Sequence, residues 1–145
     1  MKKRLLTVLA LPMILAACAG SNGESSKVAT EGDLVNNNWV LTQVDNKAIE
    51  LPEPFKAPNL ELTTDMSANG HSGCNRYFGQ AELNDGQLRI EKMGMTMMAC
   101  PAPAMEMEKN LTQTLTNWSE AKISGSVLTL TNTNHTLTFK RTDAQ

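Results

Sequence analysis

Two cysteines bracket a hairpin in this chain, and that arrangement constrains the fold more than any other feature. Between Cys74 and Cys100 lies Leu83-Asn84-Asp85-Gly86-Gln87-Leu88, where Asp-Gly between apolar positions marks a two-residue turn joining two strands. A tight turn brings the second strand back along the first, so Cys74 and Cys100 come within bonding range. In an oxidising compartment a structural disulfide is expected, and closing a loop of this length stabilises a fold by roughly 3–4 kcal/mol. Free thiols and a redox or metal role are the alternatives. The spacing is not Cys-x-x-Cys, which disfavours a thioredoxin-like couple.

The compartment is indicated at the start of the chain. Met1-Lys2-Lys3-Arg4 is basic, and Leu5 to Leu15 is an apolar run of signal-peptide length, too short to cross a bilayer. It ends in Leu15-Ala16-Ala17-Cys18, which resembles the bacterial lipobox, whose cysteine is acylated and becomes the first mature residue. The expectation is a signal peptide over residues 1–17 and a lipid anchor on Cys18, making the membrane a partner through that anchor. Ala19 stands where an aspartate would resemble an inner-membrane retention signal, which points to the outer membrane, facing the periplasm. Cleavage leaves 128 residues with ten basic and fifteen acidic side chains, a formal charge of −5. So acidic a domain has no electrostatic footprint for nucleic acid, and attachment falls to the acyl chains.

Residues 18–33 are rich in Ser, Gly and Asn and read as a flexible tether. Residues 34–141 have the length of one domain with its own core. Strand patterns run over 39–44, 59–64, 77–83, 87–93, 121–123, 127–131 and 135–140, with 48–51 as a short partner strand and Asn69-Gly70 as a turn or bulge. Pro101 and Pro103 open a helix of about four turns, with Glu106 and Glu108 near its N-terminus. Met107, Leu111, Leu115 and Trp118 recur along it at helical spacing. Many short strands with one helix give an α+β expectation with an open barrel.

Gly-Cys-Asn-Arg-Tyr-x-Gly at 73–79, Met-Thr-x-Met-x-Cys at 95–100 and His-Thr-Leu-Thr-Phe-Lys at 135–140 together resemble the META/HslJ family, formerly a domain of unknown function. The resemblance covers residues 34–141. It implies a strongly curved antiparallel sheet, an incomplete β-barrel like those of lipocalins and secretion-system pilotins, with one packed α-helix. It also implies a setting in envelope stress and antibiotic tolerance, and it supplies no catalytic residues.

Three groups of residues invite a functional reading. His71 lies three residues before Cys74, a Cys–His nucleophile pair only if the thiol is free and a third group orients the base. Met93, Met95, Met97, Met98, Met105 and Met107 either fill core and groove or hold Cu(I) in the periplasm. The helix either fills the barrel opening, leaving a protein-facing surface, or stands aside. In the second case Met107, Leu111, Leu115 and Trp118 line a groove for an acyl chain, as in a pilotin-like carrier. No convergent acid, base and nucleophile are visible. The expectation is a non-enzymatic envelope lipoprotein that binds a protein partner or an apolar ligand, without a cofactor, with Cu(I) binding as the alternative.

Overall fold

The computed structural model of the protein describes residues 25–142. The expected signal peptide and Cys18 lie outside the described residues. Along the chain run β1 (Lys27–Val28), α1 (Glu31–Leu34), β2 (Asn38–Val44), β3 (Lys47–Ala48), β4 (Asn59–Leu62) and β5 (Ser67–His71). There follow β6 (Arg76–Asn84), β7 (Gln87–Met95), α2 (Ala102–Leu115), β8 (Ser119–Ser124), β9 (Val127–Thr131) and β10 (Thr136–Thr142).

The strands form one antiparallel sheet in the order β1-β8-β7-β6-β5-β4-β2-β10-β9, and β8 also pairs with β9, so the sheet curls into a ring. The ring is uneven. β6 and β7 pair from Asn84↔Gln87 to Tyr77↔Met95, whereas β7 meets β8 only at Gln87↔Glu120 and Leu88↔Ser119. The barrel is therefore incomplete where β7 diverges from β8, and α2, which connects those two strands, packs on β7 and β10.

Alternation of side chains puts one face of each strand inside. Trp39 and Leu41, Leu60 and Leu62, Leu88 and Ile90, Leu128 and Leu130, and Leu137 and Phe139 are all buried there. From α2, Leu111 and Leu115 enter the same core. The Asp-Gly turn forms as its residues demand: Asp85 has φ 47° and Gly86 has φ 76°, a left-handed region that glycine adopts without steric cost.

Three expectations need correction. Residues 25–33 are not tether: β1 pairs with β8, Ala29 donates its N–H to the Ala121 carbonyl at 2.9 Å, and Ala29 and Leu34 are buried. Elements of two and four residues are too short to carry a periodic pattern. Asn69-Gly70 is not a turn but the middle of β5, paired on both sides. Trp118 is not on the helix. The helix stops at Leu115 because the residues beyond it satisfy its last carbonyls: the Thr116 N–H donates to Thr112 O, Asn117 Nδ2 to Gln113 O at 2.8 Å, and Ser119 Oγ to Thr114 O at 2.9 Å.

Candidate functional site

A concavity of about 1020 Å³ lies on the outer face of β2, β4, β5 and β6 and is flanked by residues 54–57. Register places two rows of outward positions across these strands. Asn38, Glu61, Asn69 and Phe78 form one row; Val40, Asn59, His71 and Arg76 form the next. The rows are two residues apart along each strand, roughly 6.7 Å. Rigid sheet positions thus set the spacing of every group on the floor.

Hydrogen bonds lock the middle of the site. Asn59 Nδ2 donates to Asn38 Oδ1 at 2.8 Å, and Asn59 Oδ1 accepts the His71 backbone N–H at 2.9 Å. His71 Nδ1 accepts the Gly73 N–H at 3.1 Å, which leaves Nε2 to carry the proton of the neutral ring. Burial of His71, and then the neighbouring Arg76 charge, lower its pKa below the usual histidine value. Phe55 is half-buried in the flanking loop, and Phe78 is 63% exposed.

Beneath one end of the site, the β5–β6 connection is held by a polar network around buried Ser72 and Asn75. Gly73 has φ 100°, a conformation that favours glycine. Cys74 is joined to Cys100 with the Cα atoms 6.0 Å apart, tying this connection to the one between β7 and α2. Buried Asn75 receives the Met98 N–H on Oδ1 at 2.7 Å and the Thr96 hydroxyl at 3.0 Å. Its own N–H and Nδ2 donate to the Glu108 carboxylate at 3.0 and 3.2 Å. Glu108 also accepts from the buried Ser72 hydroxyl. The Gly-Cys-Asn stretch is therefore structural, while the Arg-Tyr that follows sends Arg76 outward to the site and Tyr77 inward to the core.

The residues expected to act together are dispersed. Cys74 is in a disulfide, so it offers His71 no thiol. Ser72 is fully buried, and its hydroxyl donates toward Glu108 and the Asn75 carbonyl, while His71 Nδ1 is bonded to the Gly73 N–H. Met93, Met95 and Met107 pack against the core, while Met97, Met98 and Met105 are exposed, Met97 at 94%. Leu111 and Leu115 are buried under the sheet, and Met107 lies against Gly73. Trp118 stands past the helix with its ring centroid 4.4 Å from Arg89 Cζ. Leu111 and Leu115 are therefore in the core, and the concavity is lined by none of these four residues.

Sequence reading passed over Asn59, Asn69, Glu61, Arg76, Phe55 and Phe78. The available signal was the polar or aromatic residue at alternate strand positions opposite a buried one. Which of these meet depends on register, and register is a tertiary property.

Residues 32–144 match the META domain family. The chain is 27% identical over 143 residues to the heat shock protein HslJ of Escherichia coli strain K12, covering 97% of each. An NMR structure of a protein from Burkholderia xenovorans superposes with a TM-score of 0.67 at 25% identity, over 99% of this chain and 100% of that one. A second NMR structure has the same TM-score at 26% identity, over 77% of this chain and 94% of that one.

Proposed function

This chain belongs to the META domain family, and on that premise we propose that it is a non-enzymatic ligand-binding module of the bacterial envelope. It is anchored through acylated Cys18 to the outer membrane, facing the periplasm, and works under envelope stress. The observation that carries the binding role is the concavity on the outer sheet face. It is large enough for a small ligand, and its floor is held by strand register and side-chain hydrogen bonds instead of mobile loops. The buried Ser72 hydroxyl and the bonded Nδ1 of His71 favour binding over catalysis. Similarity to a protein named for heat shock supports the stress setting.

The anchor is tested by replacing Cys18 with Ser, which should leave an unprocessed precursor or a soluble product. Acyl mass and membrane fractionation that persist in that variant would refute the anchor. Binding is tested by NMR shift mapping with a panel of small acids, amides and sugars, whose shifts should cluster on Asn59, His71, Arg76 and Phe78. A panel that leaves all four unmoved refutes the role of the concavity.

A further inference from the structure

The two arginines of the β6–β7 hairpin are treated differently. Arg89 is tied to Glu82 and Glu91 and lies over Trp118. The Arg76 guanidinium, on the site, has no hydrogen bond or ion pair among the described residues, and neither has the Lys56 ammonium on the flanking loop. Arg76 lies directly opposite His71 across β5 and β6, and the ring feels the Arg76 charge most, then the opposing charge of Glu108, then that of Lys56. Two cations that make no ion pair among the described residues therefore line the same concavity as the Nε2–H of His71.

The other end is of different character. Phe78 follows Arg76 by two residues on the same face, roughly 6.7 Å along the strand. Its ring lies over Gly94, where a Cβ would stand only 2.4 Å from the ring edge, so the cross-strand glycine seats the aromatic platform. A large aromatic group this exposed is informative where a scattered aliphatic one is not. Glu61 sits in the Phe78 row, two strands away from Arg76, and would repel a multiply charged anion brought over the face.

We propose that the concavity binds an organic carboxylate, with its oxygens on the Arg76 guanidinium, the Lys56 ammonium and His71 Nε2–H and its apolar body on Phe78 and Phe55. A planar carboxylate matches the two-pronged guanidinium, and two cations lining one concavity without an ion pair favour its capture. The proposal rests on the binding role above and narrows it to one ligand chemistry. A free acid and the C-terminus of a peptide chain present the same group.

The test uses the full chain and titration calorimetry with four probes: 3-phenylpropionate, its amide, Ala-Ala-Phe with a free carboxyl, and Ala-Ala-Phe amide. Each acid should bind at least tenfold tighter than its amide. Arg76→Gln and Lys56→Gln should each remove most of that preference, while Arg89→Gln, outside the site, keeps it. Both substituted side chains are exposed, so folding is checked by thermal melting, and either variant alone decides. Tighter binding of 3-phenylpropionate identifies a free acid as the source, and tighter binding of the peptide acid identifies a chain terminus. Equal binding of acid and amide overturns the carboxylate assignment while leaving the binding role standing. Absence of NMR shifts at the concavity with every probe overturns both. Displacement of 3-phenylpropionate by inorganic phosphate at equal or lower concentration makes this an oxyanion site of another kind and overturns the assignment.

Discussion

Tyr77 and Gly70 face each other across β5 and β6, and the Tyr77 phenol occupies the space where a side chain on residue 70 would be. A Cβ there would lie 2.6 Å from the phenol oxygen and 2.1 Å from the Asn59 carbonyl oxygen. Tyr77 Oη donates to that same carbonyl at 2.6 Å. Burial raises the phenol pKa well above the usual tyrosine value, so the hydroxyl remains a donor at any pH the fold survives. One small residue thus lets one large residue span two neighbouring strands beneath the site.

Gly70→Ala should therefore be costly at a position that looks permissive in sequence. Overpacking of this kind destabilises by about 1–3 kcal/mol, and a clash with a backbone carbonyl together with one against a buried phenol places this case at the upper end. Tyr77→Phe keeps the ring and loses one hydrogen bond, which costs about 1 kcal/mol. Urea denaturation of the two variants should rank them in that order, and an Ala variant as stable as the parent would contradict the packing described for β5.

Asn75 offers a second test, since its side chain and backbone join three segments that are distant in sequence. Asn75→Ala leaves the Met98 N–H and part of the Glu108 carboxylate without partners. The Met98 N–H and the Glu108 carboxylate are part-buried, so stranding them falls at the low end of about 1–3 kcal/mol each, and a loss of about 2 kcal/mol is expected with the Cys74–Cys100 bond intact. The outcome is read by chemical denaturation under non-reducing conditions. A loss below about 0.5 kcal/mol would show that the network does not hold the loop.

The sequence made some of this legible and concealed the rest for identifiable reasons. Asp85-Gly86 and the alternation Leu137-Thr138-Phe139 state their geometry locally, and the strands they predict are present. Asn69-Gly70 looks like a turn because both residues favour one, yet the inward space at Gly70 is filled by Tyr77 from the next strand. The pairing of Asn59, His71 and Arg76 was invisible because it spans three strands and depends on their register. The Cys74 and Cys100 neighbourhood was readable because a hairpin is a local structure.

Asp33 makes a prediction about pH. The Lys27 ammonium, followed by the Thr30 hydroxyl and backbone N–H, holds its carboxyl at about 2, below the ordinary 3.8. A depressed folded-state pKa means that the unfolded chain binds the proton first as pH falls. The stabilisation is complete above about pH 4 and disappears as pH drops through the folded value near 2. Hydrogen exchange at Ala29, whose N–H bonds to Ala121, should accelerate across that window relative to the core. Asp33→Asn should flatten the dependence. An unchanged pH profile in the variant would remove Asp33 from the account of how the N-terminal segment docks.

Helical spacing makes Met107, Leu111, Leu115 and Trp118 look equivalent, yet the structure assigns the last two opposite fates. Leu115 is buried between α2 and the sheet, where removing its side chain forfeits transfer energy and leaves a cavity. Leu115→Ala should then cost about 2–5 kcal/mol, and Leu115→Glu should abolish folding by placing an unpaired charge in the core. Trp118 lies beyond the helix end, half-exposed against Arg89, and a cation–π contact at such a site is worth about 0.5–1 kcal/mol. Trp118→Ala should accordingly cost much less than Leu115→Ala. Arg89→Ala should shift Trp118 emission without unfolding the domain, because it removes the cation over the ring and leaves the core untouched. If Trp118→Ala were as destabilising as Leu115→Ala, Trp118 would belong to the core stripe after all, and α2 would have to continue past Thr116, where its final carbonyls are already taken by Asn117 and Ser119.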